Sequence, residues 1–225
     1  MSQYEVVVFD WDGTLMDSTR DIVRAMLLAC EDVGLSVPTQ ERAAWVIGLS
    51  LDKALAHVAP DLTDEQRPLF LERYRYHYLT KDGELQLFDG VLTMLDDLVA
   101  RGVHLAVATG KSRVGLDRAL SSTNLAAYFT ATRCADETFG KPHPGMLLEI
   151  MDELAVDPER VLMVGDTSHD LNMAANAGIH GLAVTYGAHT ETELRQHPHI
   201  EVLSTVQALS RWLGKRTRAR FSEEH

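Results

Sequence analysis

The chain has 225 residues, enough for one large core or two modest ones, and its 45% hydrophobic and 24% charged residues are ordinary for a soluble globular enzyme. A formal net charge of −12 argues against nucleic acid or an anionic membrane as partner, because both need a basic face. Two cysteines, Cys30 and Cys134, do not make a disulfide framework or a zinc spacing, and no apolar run approaches the ~20 residues that span a bilayer. A cytoplasmic protein is therefore expected, with monomer or homodimer both left open. No leader is expected either, since Met1 runs within a few residues into the first strand.

In chain order, "EVVVFDWDGTLMDS" comes first. Val6, Val7, Val8 and Phe9 read as a strand buried on both faces, of the kind found inside parallel sheets. The strand ends in Asp10 and Asp12, two like charges that point the same way and repel unless something offsets them. A bound cation, or chemistry that uses both groups, would do so; a strand stop with a helix cap is the bland alternative. From Asp17 to Leu79 the pattern is helical. "DSTRDIVRAMLLACEDVGL" opens on a Ser/Asp cap and stops at Gly34, and shorter pieces follow at 41–47 and 51–58. "DEQRPLFLERYRYHYL" carries Leu69, Phe70, Tyr74 and Tyr78 along one face, which reads as helix core. "TKDGELQLFDG" is rich in turn formers and looks like a return linker.

From Asp89 helix and strand alternate. "GVLTMLDDLVARG", "SRVGLDRALSSTNL", "PHPGMLLEIMDELAV" and "SHDLNMAANAG" predict helices, while "VHLAVATG", "RVLMVGD" and "HGLAVTYG" predict strands. This rhythm implies a parallel sheet with helices on both faces, to which the first strand must also belong. Three strands then end in polar residues on one edge: "DWDGT", "TGKS" and "GDTSHD". Carboxyl edges of neighbouring strands line one crevice in such a sheet, and ligands bind there.

The inventory at that edge suits phosphate and a hard cation. Asp10, Asp12, Asp166 and Asp170 offer the oxygen ligands that Mg²⁺ favours. Thr109 and the Gly110 amide can bind phosphate oxygens at the start of a helix. Lys141, pinned by Pro142 in "FGKPHPG", adds a cation, while GxxxxGK[ST] and GxGxxG are both absent.

These stretches resemble the haloacid dehalogenase (HAD) superfamily, subfamily I, in its phosphoglycolate phosphatase-like branch. "DWDGT" resembles DxDGT, "ATG" the hydrophobic-[ST]-G motif, "KPHP" the lysine motif and "GDTSHD" the GDxxxD motif, in family order over about residues 4 to 213. The resemblance implies an α/β fold: a Rossmann-like parallel-sheet core of residues 1–16 and 86–215, an inserted all-helical C1 cap of residues 17–85, and a disordered tail of residues 216–225. It implies a cytoplasmic, Mg²⁺-dependent phosphatase acting on a small phosphorylated metabolite, phosphoglycolate-like or a sugar phosphate. Asp10 would be the nucleophile and Asp12 the general acid and base. Thr109 and Lys141 would hold the phosphoryl group. Asp166 would ligate the metal with Asp10 and the Asp12 carbonyl, with Asp170 as ligand or acting through water. Thr14, Gly110, Arg20, Gly48 and Ser50 would meet the substrate, the last two on the cap loop "VIGLSLDKAL", with Lys53 a weaker candidate.

Trp11 is expected to pack beneath its loop, and His169 to be a partly exposed loop residue. Hinges are expected near 16–18 and 83–89. Asp12 argues against dehalogenation, and the lack of a His near Ile22 makes a phosphomutase the weaker reading. Arg20 departs from the Pro of the branch's DSxPDL start. A pyrophosphatase or nucleotidase of the same fold stays open, as does a binding module without catalysis.

Overall fold

A computed structural model describes residues 4–80 and 86–217. Six parallel strands form one sheet in the order β3-β2-β1-β4-β5-β6. These are β1 (Val6–Phe9), β2 (His104–Thr109), β3 (Phe129–Cys134), β4 (Val161–Gly165), β5 (His180–Val184) and β6 (Glu201–Leu203). β1 lies between β2 and β4 with Phe9 level with Val107 and Val164, so the three polar strand ends of the sequence are immediate neighbours. Chain order reverses direction at β1, and the crevice opens there.

The period-two alternation of β1 divides the core into two layers. Val7 and Phe9 pack with Leu95 and Leu98 of α5 (Val91–Ala100), Leu116 of α6 (Arg113–Thr123) and Leu209 of α10 (Val206–Arg216). Val6 and Val8 face Leu147 and Ile150 of α7 (Gly145–Leu154) and Met173 of α8 (Ser168–Asn176). Trp11 is fully buried in the first layer, edge-on to Phe129.

Between β1 and α5 the chain forms α1 (Thr19–Val33), α2 (Gln40–Trp45), α3 (Leu51–Val58) and α4 (Arg67–Leu79). They bury a separate core around Met26, Ala43, Leu55 and Phe70. Gly34 ends α1 with φ 73°, a left-handed cap that suits glycine. The two connecting stretches run side by side: Asp17 N–H donates to the Gln86 carbonyl and Phe88 N–H to that of Leu15. Of the expected hinge at 83–89, residues 83–85 lie outside the described residues.

Some expectations need correction. β3 and β6 were not foreseen: both are edge strands, β3 with only Ala131 and Cys134 buried and β6 with part-buried side chains throughout, so neither carries a continuous apolar run. Leu69 is 46% exposed although Phe70 and Tyr78 on the same helix are buried. The expected tail starts too early, because Arg216 closes α10 and Thr217 is buried beside Tyr4; residues 218–225 lie outside the described residues. α9 (Glu191–Leu194) is a single turn too short to leave a periodic pattern.

Candidate active site at the carboxyl edge of the sheet

Asp10 leaves β1 into the crevice and is 1% exposed. Lys141 Nζ lies 2.7 Å from its Oδ1 and 2.7 Å from Asp170 Oδ1. Asp10 Oδ2 has no hydrogen-bond partner among the described residues. Asp166, at the end of β4, accepts from Thr14 Oγ1 at 2.7 Å and from the Ala188 N–H at 2.7 Å. Gly13 and Gly187 press against this carboxylate so closely that a Cβ on either would sit 2.2 Å from Oδ2. Asp170 is the third residue of α8 and forms a capping box with Thr167, whose hydroxyl donates to Oδ2 at 2.7 Å.

Oxygens of Asp10, Asp166 and Asp170 lie within 4.8 Å of one another. Three buried carboxylates thus face one ammonium, Lys141. Burial raises the pKa of Asp10 well above the usual carboxylate range, the neighbouring acids add to this, and Lys141 opposes it. Asp166 is pushed up to about 7, by burial first and the Asp170 charge second. Lys141 stays charged: burial would lower its pKa, but Asp10 and Asp170 hold it above the usual lysine value.

A divalent cation fits this set. It would offset the excess negative charge, and Asp10 Oδ2 is a buried oxygen with no donor among the described residues. Both oxygens of Asp170 are already engaged, by Thr167 and by Lys141.

Asp12 faces the helical side of the crevice. Ser18 Oγ donates to its Oδ1 at 2.6 Å, and Lys111 Nζ lies 3.0 Å from Oδ2. Thr109, 1% exposed, closes β2 beside it, and its Oγ1 accepts from the Lys111 N–H.

The loop between α2 and α3 sits on top. A Cβ on Gly110 would be 2.5 Å from the Gly48 carbonyl oxygen, so only glycine permits the approach. Gly48 itself has φ +87°, and a Cβ there would lie 3.9 Å from Lys141 Nζ. Ser50 packs on Gly140, and Lys53 Nζ donates to the Gly140 and Lys141 carbonyls at 3.2 and 3.0 Å. The Trp45 carbonyl accepts from His169 Nε2 at 2.8 Å and from His189 Nε2 at 3.0 Å. The Ser168 N–H donates to His189 Nδ1, which puts the ring proton on Nε2.

Of the residues singled out in the sequence, Asp10, Asp12, Thr109, Gly110, Lys141, Asp166, Asp170 and Gly48 come together. Thr14 is fully buried and donates its hydroxyl to Asp166. Arg20 is exposed and lines a separate cleft of about 900 Å³ between α1, α2 and residues 187–193, which none of the four aspartates lines. Lys53 holds the lysine loop. His169 is 5% exposed, and burial lowers its pKa to about 4, so it is a buried neutral contact. Lys111, Ser18 and the Ala188 amide were missed. Lys111 had a signal, as it follows Thr109 and Gly110 at the strand end; Ala188 contributes a backbone group and had none.

The model of the family "Haloacid dehalogenase-like hydrolase" matches residues 7–184. The chain is 38% identical over 198 residues to a Dickeya dadantii protein named "Probable phosphatase IndB", covering 84% of this chain and 85% of that one. It is 30% identical over 188 residues to a phosphoglycolate phosphatase of Agrobacterium fabrum, covering 81% of each. The structure resembles a haloacid dehalogenase-like hydrolase of Bacteroides fragilis with TM-score 0.83 and 29% identity, over 92% of this chain and 100% of that one. This chain therefore belongs to the haloacid dehalogenase-like hydrolases. Within them it is a phosphatase, similar to phosphoglycolate phosphatases.

Proposed function

We propose that the protein hydrolyses a small phosphomonoester, phosphoglycolate-like or a sugar phosphate, with Mg²⁺ as cofactor and Asp10 as nucleophile. The observation that carries this reading is the setting of Asp10: fully buried, 2.7 Å from a charged Lys141, with Oδ2 unpartnered among the described residues at the centre of the strand edge.

An Asp10 oxygen attacks phosphorus while the bond to the leaving oxygen breaks, which gives an aspartyl phosphate. Asp12 gives its proton to that oxygen, so the substrate departs as an alcohol. Asp12 then takes a proton from water, whose oxygen attacks the same phosphorus, releases inorganic phosphate and restores Asp10. Lys141 and Thr109 hold the phosphoryl oxygens, and Asp170 keeps Lys141 aimed at Asp10. Asp10, Asp166 and the Asp12 carbonyl would hold Mg²⁺, which supplies charge neutralisation for the phosphoryl group. Thr14 and the Ala188 amide fix the Asp166 carboxylate for that purpose. The helical block 17–85 serves as a cap: seated, it brings Gly48 over Lys141 and excludes water from the crevice.

The test is phosphate release from a panel of phosphoesters, with and without Mg²⁺, beside Asp10→Asn. Mg²⁺-dependent turnover that falls by roughly three orders of magnitude or more in the variant is expected. Turnover that survives Asp10→Asn would remove the nucleophile assignment. A preference for pyrophosphate or nucleotides in the panel would replace the substrate class.

A further inference from the structure

The reaction above needs Asp12 to deliver a proton in a defined direction, and two side chains take hold of its carboxyl. Ser18 Oγ donates to Oδ1 at 2.6 Å, which leaves Oδ2 as the oxygen that can carry the transferable proton. Lys111 Nζ approaches that same Oδ2 at 3.0 Å, with side-chain exposures of 12% for Lys111 and 8% for Asp12. Lys111 stands at the carboxyl end of β2, one residue beyond Gly110, and so borders the space where a leaving group must depart. Its other partner comes from the helical block: the Tyr78 hydroxyl on α4 is 3.1 Å from Nζ, and the ammonium lies 5.0 Å from the Tyr78 ring centroid. The Tyr78 ring is itself stacked on Tyr74 at 6.1 Å and packed with Ile22 and Ile47. A lysine has a long flexible stem, and this second anchor fixes where its charge sits.

Resting on the proposed phosphatase reading, we propose that Lys111 is a positioning residue that holds Asp12 Oδ2 for proton transfer to the leaving oxygen, and that Tyr78 makes this hold depend on the seated cap. Lys111 Nζ donates to the Tyr78 hydroxyl and pairs with Asp12 Oδ2, so it steers that carboxyl and does not stand in for it. A buried ion pair with a purely structural role is the competing account, and it predicts equal damage to every substrate.

Leaving groups separate the two. Phenyl phosphate and p-nitrophenyl phosphate carry the same phosphoryl charge on an aryl leaving group, but the phenyl ester expels a much more basic oxygen that needs the proton. For Lys111→Met, kcat/KM on phenyl phosphate should fall about 10²-fold, and on p-nitrophenyl phosphate no more than about threefold. Lys111→Arg should recover part of the loss on phenyl phosphate. Tyr78→Phe, a mild change that keeps the ring packing, should fall in the same selective direction by about tenfold. Equal losses on both esters in Lys111→Met, or an unselective Tyr78→Phe, would overturn the inference. Absence of wild-type turnover of either ester would instead overturn the phosphatase reading on which it rests.

Discussion

Around Asp10 the polar contacts come from the α/β layer alone: Lys141 on Asp10 and Asp170, Thr14 and the Ala188 amide on Asp166, Thr167 on Asp170. At the seam above it, the helical block reaches down with different groups: the Trp45 carbonyl on two histidines, the Tyr78 hydroxyl on Lys111, the Lys53 ammonium on two loop carbonyls. The first region is charge-dense, with three buried carboxylates whose oxygens could hold a cation. Among these contacts the second has no carboxylate of its own: ammonium and imidazole groups there meet neutral carbonyl and hydroxyl oxygens, beside stacked rings. On the proposed function, that difference would let phosphoryl chemistry stay with one layer while the other moves over it.

Breaking the charge-dense region should have the largest effect. In Gly187→Ala the new Cβ would fall 2.2 Å from Asp166 Oδ2, so the carboxylate must swing out of place. A loss of about 10²-fold in kcat is expected, with weakened Mg²⁺ binding, measured by steady-state kinetics at rising Mg²⁺. Thr14→Val keeps the shape of a fully buried side chain and removes only the hydroxyl on Asp166. Its apparent Mg²⁺ affinity should drop by about 10- to 100-fold, read by calorimetric titration.

The seam should answer to pH with a smaller effect. Burial lowers the pKa of His169 to about 4 from 6.5, against the pull of the Trp45 carbonyl. Above about pH 6.5 the residue is neutral folded or unfolded and contributes no pH dependence. Between about 6.5 and 4 the unfolded chain binds a proton that the folded one does not, so stability falls as pH falls. Asp166, pushed up to about 7, works in the opposite direction over that range while metal-free. The informative measurement is therefore the difference in melting temperature between wild type and His169→Gln, taken from pH 7 to 4.5, in which Asp166 cancels. Wild type should lose more stability on acidification than the variant; parallel curves would remove His169 as a neutral seam contact.

Much of the site was legible because its residues follow strand ends. A buried strand announces itself as a short apolar run, and parallel strands share an edge, so Asp10, Thr109 and Asp166 could be brought together before any coordinates. For Arg20 the sequence showed a helix but not which of its faces meets the crevice, and the structure places it on the cleft along α1 and α2. His169 was misjudged because a loop motif gives no hint that another helix will cover it; the Trp45 carbonyl arrives from α2.

By itself the sequence determined the alternation of strand and helix, the insertion after β1 and the four polar loops in order. Those depend on local periodicity and on the chirality of parallel crossovers, which act along the chain. The tertiary structure alone decided which partner each oxygen has. Thr14 meets Asp166 across 152 residues, Asp170 turns to Lys141, and Tyr78 is brought to Lys111 from another layer. The edge strands β3 and β6 belong there too, for their pairing rests on β2 and β5 and not on an apolar run of their own. Hydrogen bonds reach about 3 Å, so who bonds to whom is set only once packing has fixed the layers to that tolerance.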